Sequence, residues 1–559
     1  MTRPLRTAGG AAVALVALAL CVVAAGCAGG NAATTSTPAS KPQLPHRRAF
    51  STFRIALDNG LDSLDPGLSY TTEGWGVLWN VYLPLLGYRH VSGTAGATLI
   101  PYLARSLPRI SPDGRTYSLV LRRGLRYSNG RPVRASDFRF AIERDYQLGS
   151  PGSSFFDGIV GATDFANNPD GHIRGIVTDD RTGSIVVHLT RPQADFSYVL
   201  ATIFAAPVPP TTPLKDQSQT PIPSTGPYQI QSYAPSRRIV ETRNPHFSTR
   251  RLAGAVPPGN PDTVVWDLVA SDLDAYQRVV RNEDDWLGYH PIPPAKLDAA
   301  RRNHGRRLRI FTPANTYYFF MNTRVAPFDD VRVRRAVNYA LDRNRLVGIF
   351  GGLATPTENI LPPGDLGYRP HTLYPYDPEK AKRLVARSGK AGAAVTVWSD
   401  DLAPDAKAAQ YLVGVLNDLG FRASRHVVTS TAYLATLAGR KTRAQVGIAD
   451  WYQDFPHPLD SFGTLLRGDA IGTPANQDYA AFDDKGVDSR IAALERQPHL
   501  TAKVAAGWAA LDRRVMELAP WAPFLNRRQT DFFSTRVDLS CYVNHVVYEF
   551  DYGTICIKQ

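Results

Sequence analysis

Asp454, His457, Asp460 and Ser461 stand within one short stretch, DWYQDFPHPLDSF, residues 450–462. Carboxylate, imidazole and hydroxyl are the parts of an acyl-transfer triad, and two carboxylates are the parts of a glycoside-cleaving pair. Both chemistries need more than residue types. A triad needs its nucleophile beside an oxyanion hole, and the chain has no G-x-S-x-G elbow. Two acids so close in one loop rarely straddle a scissile bond. H-E-x-x-H, the P-loop and G-x-G-x-x-G are missing as well. The 12 histidines are dispersed, and no Cys/His spacing suggests zinc. What remains is a set of carboxylates among Trp451, Tyr452, Phe455 and two prolines. Such groups grip a cation through charge-assisted hydrogen bonds and ring faces. The loop is expected to hold a ligand and not to cut it; no catalytic residue, metal or cofactor is expected.

The elements that must carry this loop read from periodicity. RTYSLVLRRGLRYSNG alternates Tyr117, Leu119 and Leu121 on one face and turns at Gly124, which predicts a hairpin. RASDFRFAIERDY predicts a helix with Ser136 as N-cap, Asp137 in the first turn and Phe138, Ile142 and Tyr146 on one stripe. YDPEKAKRLVARSG marks both of its ends: Asp377 caps, Pro378 stands first, Arg387 is in the last turn and Gly389 lies just beyond. AVTVWS, AKAAQYLVGVLNDLG and FRASRHVV follow as strand, helix and strand, with Ala408, Leu412, Val415, Leu416 and Leu419 on one helical face. A crossover of that length joins parallel strands. Hairpins and crossovers together predict a mixed α/β fold, and a body of about 510 residues is too long for one core.

Arg3 and Arg6 precede an uncharged Ala/Val/Leu-rich run from Ala8 to Gly26, ending in VVAAGC. A basic start, an apolar stretch and small residues before a cut are the marks of an export leader. At about 19 residues the run also suffices for a single membrane-spanning anchor, and that alternative stays open. Residues 27–49 are rich in Ala, Thr, Ser and Pro and bury no core, so a flexible tether reaching roughly 25 Å is expected. In an oxidising compartment a bridge between Cys541 and Cys556 is worth about 3 kcal/mol; two free thiols are the alternative. The formal net charge is +13, yet the arginines are scattered among acids with no long basic block. That pattern is a solvated surface, and nucleic acid is not an expected partner.

Four segments, read in order, resemble the extracytoplasmic solute-binding proteins of peptide/nickel-type ABC importers, bacterial solute-binding family 5. LDSLDPG resembles the family's early Leu-Asp-Pro. LIPYLARSLPRISPDGRTYSLVLRRGLRYSNGRPVRASDFRFAIER resembles its signature segment. STGPYQIQSYAPSRRIVETRNPHF resembles the second block, with Gly226-Pro227-Tyr228 and Asn244-Pro245 in place, and YYFFMNTRVAPFDDVRVRRAVNYALDRNRLV resembles the third. VVAAGC is similar to a lipobox, with Ala24 where Leu is usual.

The resemblance implies two lobes hinged around a crevice, with an extra domain on the first. Lobe I takes residues 50–85, 190–315 and 525–559, the extra domain 86–189 and lobe II 316–524. The hinge strands fall near Thr316–Asn322 and Pro523–Arg527. A leader at 1–26 and the tether at 27–49 precede them, with Cys27 acylated. Asp454 is implied to pair with the ligand's α-amino group, and the backbone of Asp450, Trp451 and Tyr452 with an extended ligand. Tyr70, Thr71, Thr72 and Glu73 face them from lobe I, and Trp451, Tyr452, Phe455, Trp75 and Trp79 supply rings. The implied protein is a monomeric receptor, lipid-anchored on the outer face of the cell membrane. It delivers a small solute, foremost an oligopeptide, to permease subunits driven by a cytoplasmic ATPase. A sensor of the same fold and an extracellular hydrolase are the alternatives.

Overall fold

In Thr52–Leu57 the side chains of Phe53 and Ile55 turn inward and those of Thr52 and Arg54 outward, the period-two pattern of a strand with one covered face. The computed structural model describes residues 51–558 apart from 59, 440–441 and 472–475, so the leader, the tether and Cys27 lie outside the described residues. Thr52–Leu57 runs parallel to Thr263–Leu268, which continues antiparallel into Arg238–Arg243 and Tyr228–Ala234. A second four-stranded sheet holds Arg109–Ile110, Thr116–Val120, Ser184–His188 and Ile176–Asp179 in that order. The largest sheet has six strands, ordered Ala354–Pro356, Trp521–Arg527, Asn315–Met321, Val446–Tyr452, Ala394–Ser399 and Arg422–Val427. Helices pack on these sheets, and the fold is mixed α/β.

The local signals of the crossover hold. Asp377 accepts from Lys380 N at 2.8 Å, the helix runs Pro378–Ser388, and Gly389 closes it in the left-handed region at φ 69°. Ala394–Ser399 and Arg422–Val427 pair in parallel, joined through the helix Asp405–Asp418. Two expectations shift. The strand Thr116–Val120 does not fold back at Gly124. It turns on its other side, through Gly114 (φ 70°), onto Arg109–Ile110, and takes its second partner from Ser184–His188. The helix Ala135–Leu148 begins after Arg134, whose N–H donates to the Asp137 carboxylate; Ser136 instead bonds Asp180.

Packing gathers around two sets of rings. One joins the N-terminal strand to the C-terminal segment, with Phe550 against both Phe53 and Trp286 and Trp266 against Tyr552. The Cys541–Cys556 disulfide ties that C-terminal segment, with Cα atoms 5.6 Å apart. The other lies on the two faces of the six-stranded sheet, where Tyr318 stacks on Trp521 and Phe319 on Phe524. Where the neighbouring strands Asn315–Met321 and Trp521–Arg527 begin and end, Asn315 and Arg527 exchange hydrogen bonds, Arg527 N to Asn315 Oδ1 at 2.7 Å and Asn315 Nδ2 to Arg527 O at 3.0 Å. Among the described residues no helix is long and apolar enough to cross a membrane.

Candidate ligand-binding crevice

The near wall is built from LDSLDPG. Asp65 is fully buried and bidentate with Arg144, at 2.9 and 2.6 Å, and accepts further bonds from the N–H groups of Gly67 and Gln217. Gly67 is required, since a Cβ there would come within 2.2 Å of Asp145 Oδ1. Asp62 then gathers Ser69, Tyr70 N–H and Thr71. Thr71 caps the short helix Thr72–Leu78, and Trp75 Nε1 donates to Ser69 O at 2.8 Å. Tyr70 and Trp75 are thereby fixed on one rim.

The far wall is the end of the strand Val446–Tyr452. Its inner edge pairs with Asn315–Met321 in unbroken antiparallel register. Its outer edge pairs with Ala394–Ser399 only at Val446 and Gly447. Gln453 N–H bonds Ala314 O at 2.9 Å on the inner side. Backbone groups alternate in direction along an antiparallel pair, so those of Asp450 and Tyr452 point outward. Ile448 O, in phase with them, accepts from Tyr433 Oη at 2.8 Å. Among the described residues the outer edge at Asp450 and Tyr452 has no strand partner.

Several contacts cross the crevice. Tyr70 Oη donates to Asp454 Oδ2 at 2.8 Å. Phe455 is buried against Phe155 and Tyr198, and Arg191 meets Glu495 at 2.6 Å. Between the walls lies a cavity of about 520 Å³, lined by Tyr70, Thr71, Thr72, Trp75, Trp451, Tyr452 and Asp454 among the residues expected from the sequence. A second cavity of about 600 Å³ shares only Thr72 and Tyr452 with it. Glu73 lines this second space and not the first, because the helix turns it away from Tyr70. The Asp450 side chain is exposed and lines neither. Trp79 is core, stacked on His90 and Tyr548, and Phe455 is a wedge in the opposite wall and not a ring open to a ligand. Residues the sequence did not point to also line the first cavity: Tyr479, Tyr548, Gln453 and the face Leu434, Ala435, Ala438 of the helix Ser430–Ala438. Only that helix left a trace, in carrying no charged residue along its length.

The electrostatics exclude the triad. His457 is buried, its Nδ1 accepts from Leu459 N–H, and burial pushes its pKa down to about 3, so the ring is neutral with that lone pair engaged. Asp460 accepts from Trp451 Nε1 at 2.7 Å, and burial, with the charge of Asp454 added, holds it well above the usual carboxylate range. Burial likewise raises Asp454, to about 7, against the opposing pull of the Tyr70 hydrogen bond. Near neutral pH one acid of this pair keeps its proton, while Asp454 stands ready to exchange its own. Among the described residues no group of His, Cys, Asp or Glu could hold a metal ion.

Residues 98–473 match the family model described as bacterial extracellular solute-binding proteins, family 5 Middle. The chain belongs to this family. A family 5 protein binds solutes and is not an enzyme, which agrees with the disarmed histidine. The glutathione-binding protein GsiB of Salmonella choleraesuis (strain SC-B67) is 25% identical over 492 residues, covering 84% of this chain and 88% of that one. The dipeptide-binding protein of Escherichia coli (strain K12) is 28% identical over 322 residues, 54% of this chain and 57% of the relative. The solved structure of clavulanic acid biosynthesis oligopeptide binding protein 2 superposes with a TM-score of 0.83 at 25% identity, over 91% of this chain and 96% of that one. The family 5 fold therefore extends across nearly all of the described residues.

Proposed function

We propose that the crevice captures a peptide by its α-ammonium group and that the protein hands it to an ABC permease for import. The observation that carries this reading is the Asp454 carboxylate, set in a ring-lined cavity at the end of a strand whose outer edge is free. An ammonium takes the place of the Tyr70 hydroxyl as donor to Asp454, while the backbone of Asp450 and Tyr452 pairs with the ligand's own backbone. Trp451, Tyr452, Tyr70 and Trp75 enclose it, with Thr71 and Thr72 alongside; Glu73 borders the space into which a longer ligand continues. The names of the relatives, which bind glutathione, dipeptides and oligopeptides, favour the same class of ligand.

In this reading residues 50–85, 190–315 and 525–559 form lobe I, 86–189 its extra domain and 316–524 lobe II. Closure is a hinge motion of the two lobes about the paired strands Asn315–Met321 and Trp521–Arg527. The leader at 1–26 is removed, Cys27 carries lipid, and the monomer works on the outer face of the membrane at the end of its tether.

Mass spectrometry of the protein purified from its host identifies a bound peptide, and small-angle scattering shows compaction when that peptide is restored to stripped protein. Hydrolysis of the peptide, or a co-purifying ligand with no cationic group, would overturn the reading. Calorimetry adds a signature. Because the ammonium needs the ionised carboxylate and Asp454 is raised to about 7, affinity increases with pH by up to about tenfold per unit below that value, and falls again above about pH 8, where the peptide's own α-amino group loses its proton. Below about 7, binding releases close to one proton, measured by repeating the titration in buffers of different ionisation enthalpy.

A further inference from the structure

We infer that the Asp454 cavity selects peptides whose first residue carries a bulky apolar or aromatic side chain. The inference rests on the reading of Asp454 as the ammonium partner and adds what must lie beside that ammonium.

The helix Ser430–Ala438 has two apolar faces. Tyr433 and Leu437 are buried on the core side. On the other side Leu434, 56% exposed, lines the cavity together with Ala435 and Ala438. A helix covered on one side ordinarily turns polar groups to water on the other. A lone exposed leucine needs no explanation. This one borders a space also walled by Trp75, Trp451, Tyr479 and Tyr548. Among the described residues of that wall Asp454 is the sole charged group, and no Lys, Arg or His is present. A first side chain bearing a carboxylate would enter a space with no counter-charge and with Asp454 against it. An apolar one would cover Leu434 and the rings and remove them from water. At about 520 Å³ the space is of ligand-binding size, and the rest of the peptide passes Thr72 and Tyr452 into the second cavity. Burying a phenylalanine- or leucine-sized side chain beyond what alanine buries corresponds to roughly 10- to 100-fold in affinity.

The test titrates the full chain with the tripeptides Phe-Ala-Ala, Leu-Ala-Ala, Ala-Ala-Ala and Glu-Ala-Ala, and with N-acetylated Phe-Ala-Ala. The Phe and Leu peptides are expected to bind roughly 10- to 100-fold tighter than Ala-Ala-Ala, Glu-Ala-Ala weakest of the free peptides, and acetylation to abolish binding. Ala438→Leu, which fills the space from the helix face, should bring the ratio of Phe to Ala affinity close to one. A flat series, or a preference for Ala or Glu, overturns the inference while the ammonium reading stands so long as acetylation still abolishes binding. Indifference to acetylation, or binding by none of the peptides, overturns both.

Discussion

Asp454→Ala binds an ammonium-bearing peptide about 100-fold more weakly than the unaltered protein, measured by calorimetry at about pH 7.5, where the carboxylate is mostly ionised and the peptide's α-amino group still mostly protonated. Truncating one partner of a desolvated, hydrogen-bonded charge pair costs about 2–5 kcal/mol, because the partner left behind keeps its charge and loses its acceptor. Asp454→Asn separates charge from shape. The amide oxygen still accepts from Tyr70 Oη, so the rim keeps its form while the negative charge is gone, and affinity falls by a similar factor. Thermal unfolding supplies the complementary sign. In the folded protein the carboxyl is raised above its unfolded value, so the native state holds its proton more tightly. That residue's contribution therefore becomes less favourable as pH rises from the unfolded pKa toward about 7. Asp454→Asn removes this slope, and its melting temperature gains on the parent as pH rises. Unchanged affinity in both variants would remove Asp454 from the site.

The largest loss of stability is expected at Asp65. Arg144 is almost wholly buried and meets it through two parallel hydrogen bonds. Taking the acid away leaves a buried guanidinium hydrogen-bonded to the carbonyl oxygens of Pro213 and Lys215, with Asp145 as an acidic neighbour. Asp65→Ala should cost about 3–5 kcal/mol in urea unfolding. It should weaken ligand binding too, since Asp65 orders the loop that leads to Tyr70 and Trp75. Pairing it with Arg144→Met removes the orphaned charge and recovers a large part of the stability. A single variant as stable as the parent would show that the pair holds nothing together.

What was legible from the sequence follows the range of the interaction. The helix Pro378–Ser388 carries its cap, its first-turn proline and its terminal glycine within thirteen residues, and the structure reproduces each. The parallel pair at Ala394–Ser399 and Arg422–Val427 follows from a helix of fixed length between strands. The second partner of Thr116–Val120 lies far along the chain at Ser184–His188, and no local signal at Gly124 reveals it. The site divides in the same way. The loop at Asp454 stood out as crowded polar and aromatic residues, and the rim at Tyr70 was implied by the family resemblance. Which way each ring faces did not: Trp79 and Phe455 turn into packing, while Tyr479 and Tyr548, unremarked in sequence, turn toward the cavity. A one-residue step along the helix Thr72–Leu78 separates Thr72, which borders both cavities, from Glu73, which borders only the second. Direction on that scale is set by tertiary packing, which spacing does not encode.

The rings that join Phe53 to Phe550 bear on how the molecule is born. A core shared by Thr52–Leu57 and Phe550 stays unfinished until Phe550 has been made, about half a minute or more after Thr52–Leu57 emerges at roughly 5–20 residues per second. In the later part of that interval, once Thr263–Leu268 is out, Thr52–Leu57 has its parallel neighbour but not its full cover. Under the export proposed above such a delay is an advantage, because what has not yet locked can still be pulled straight.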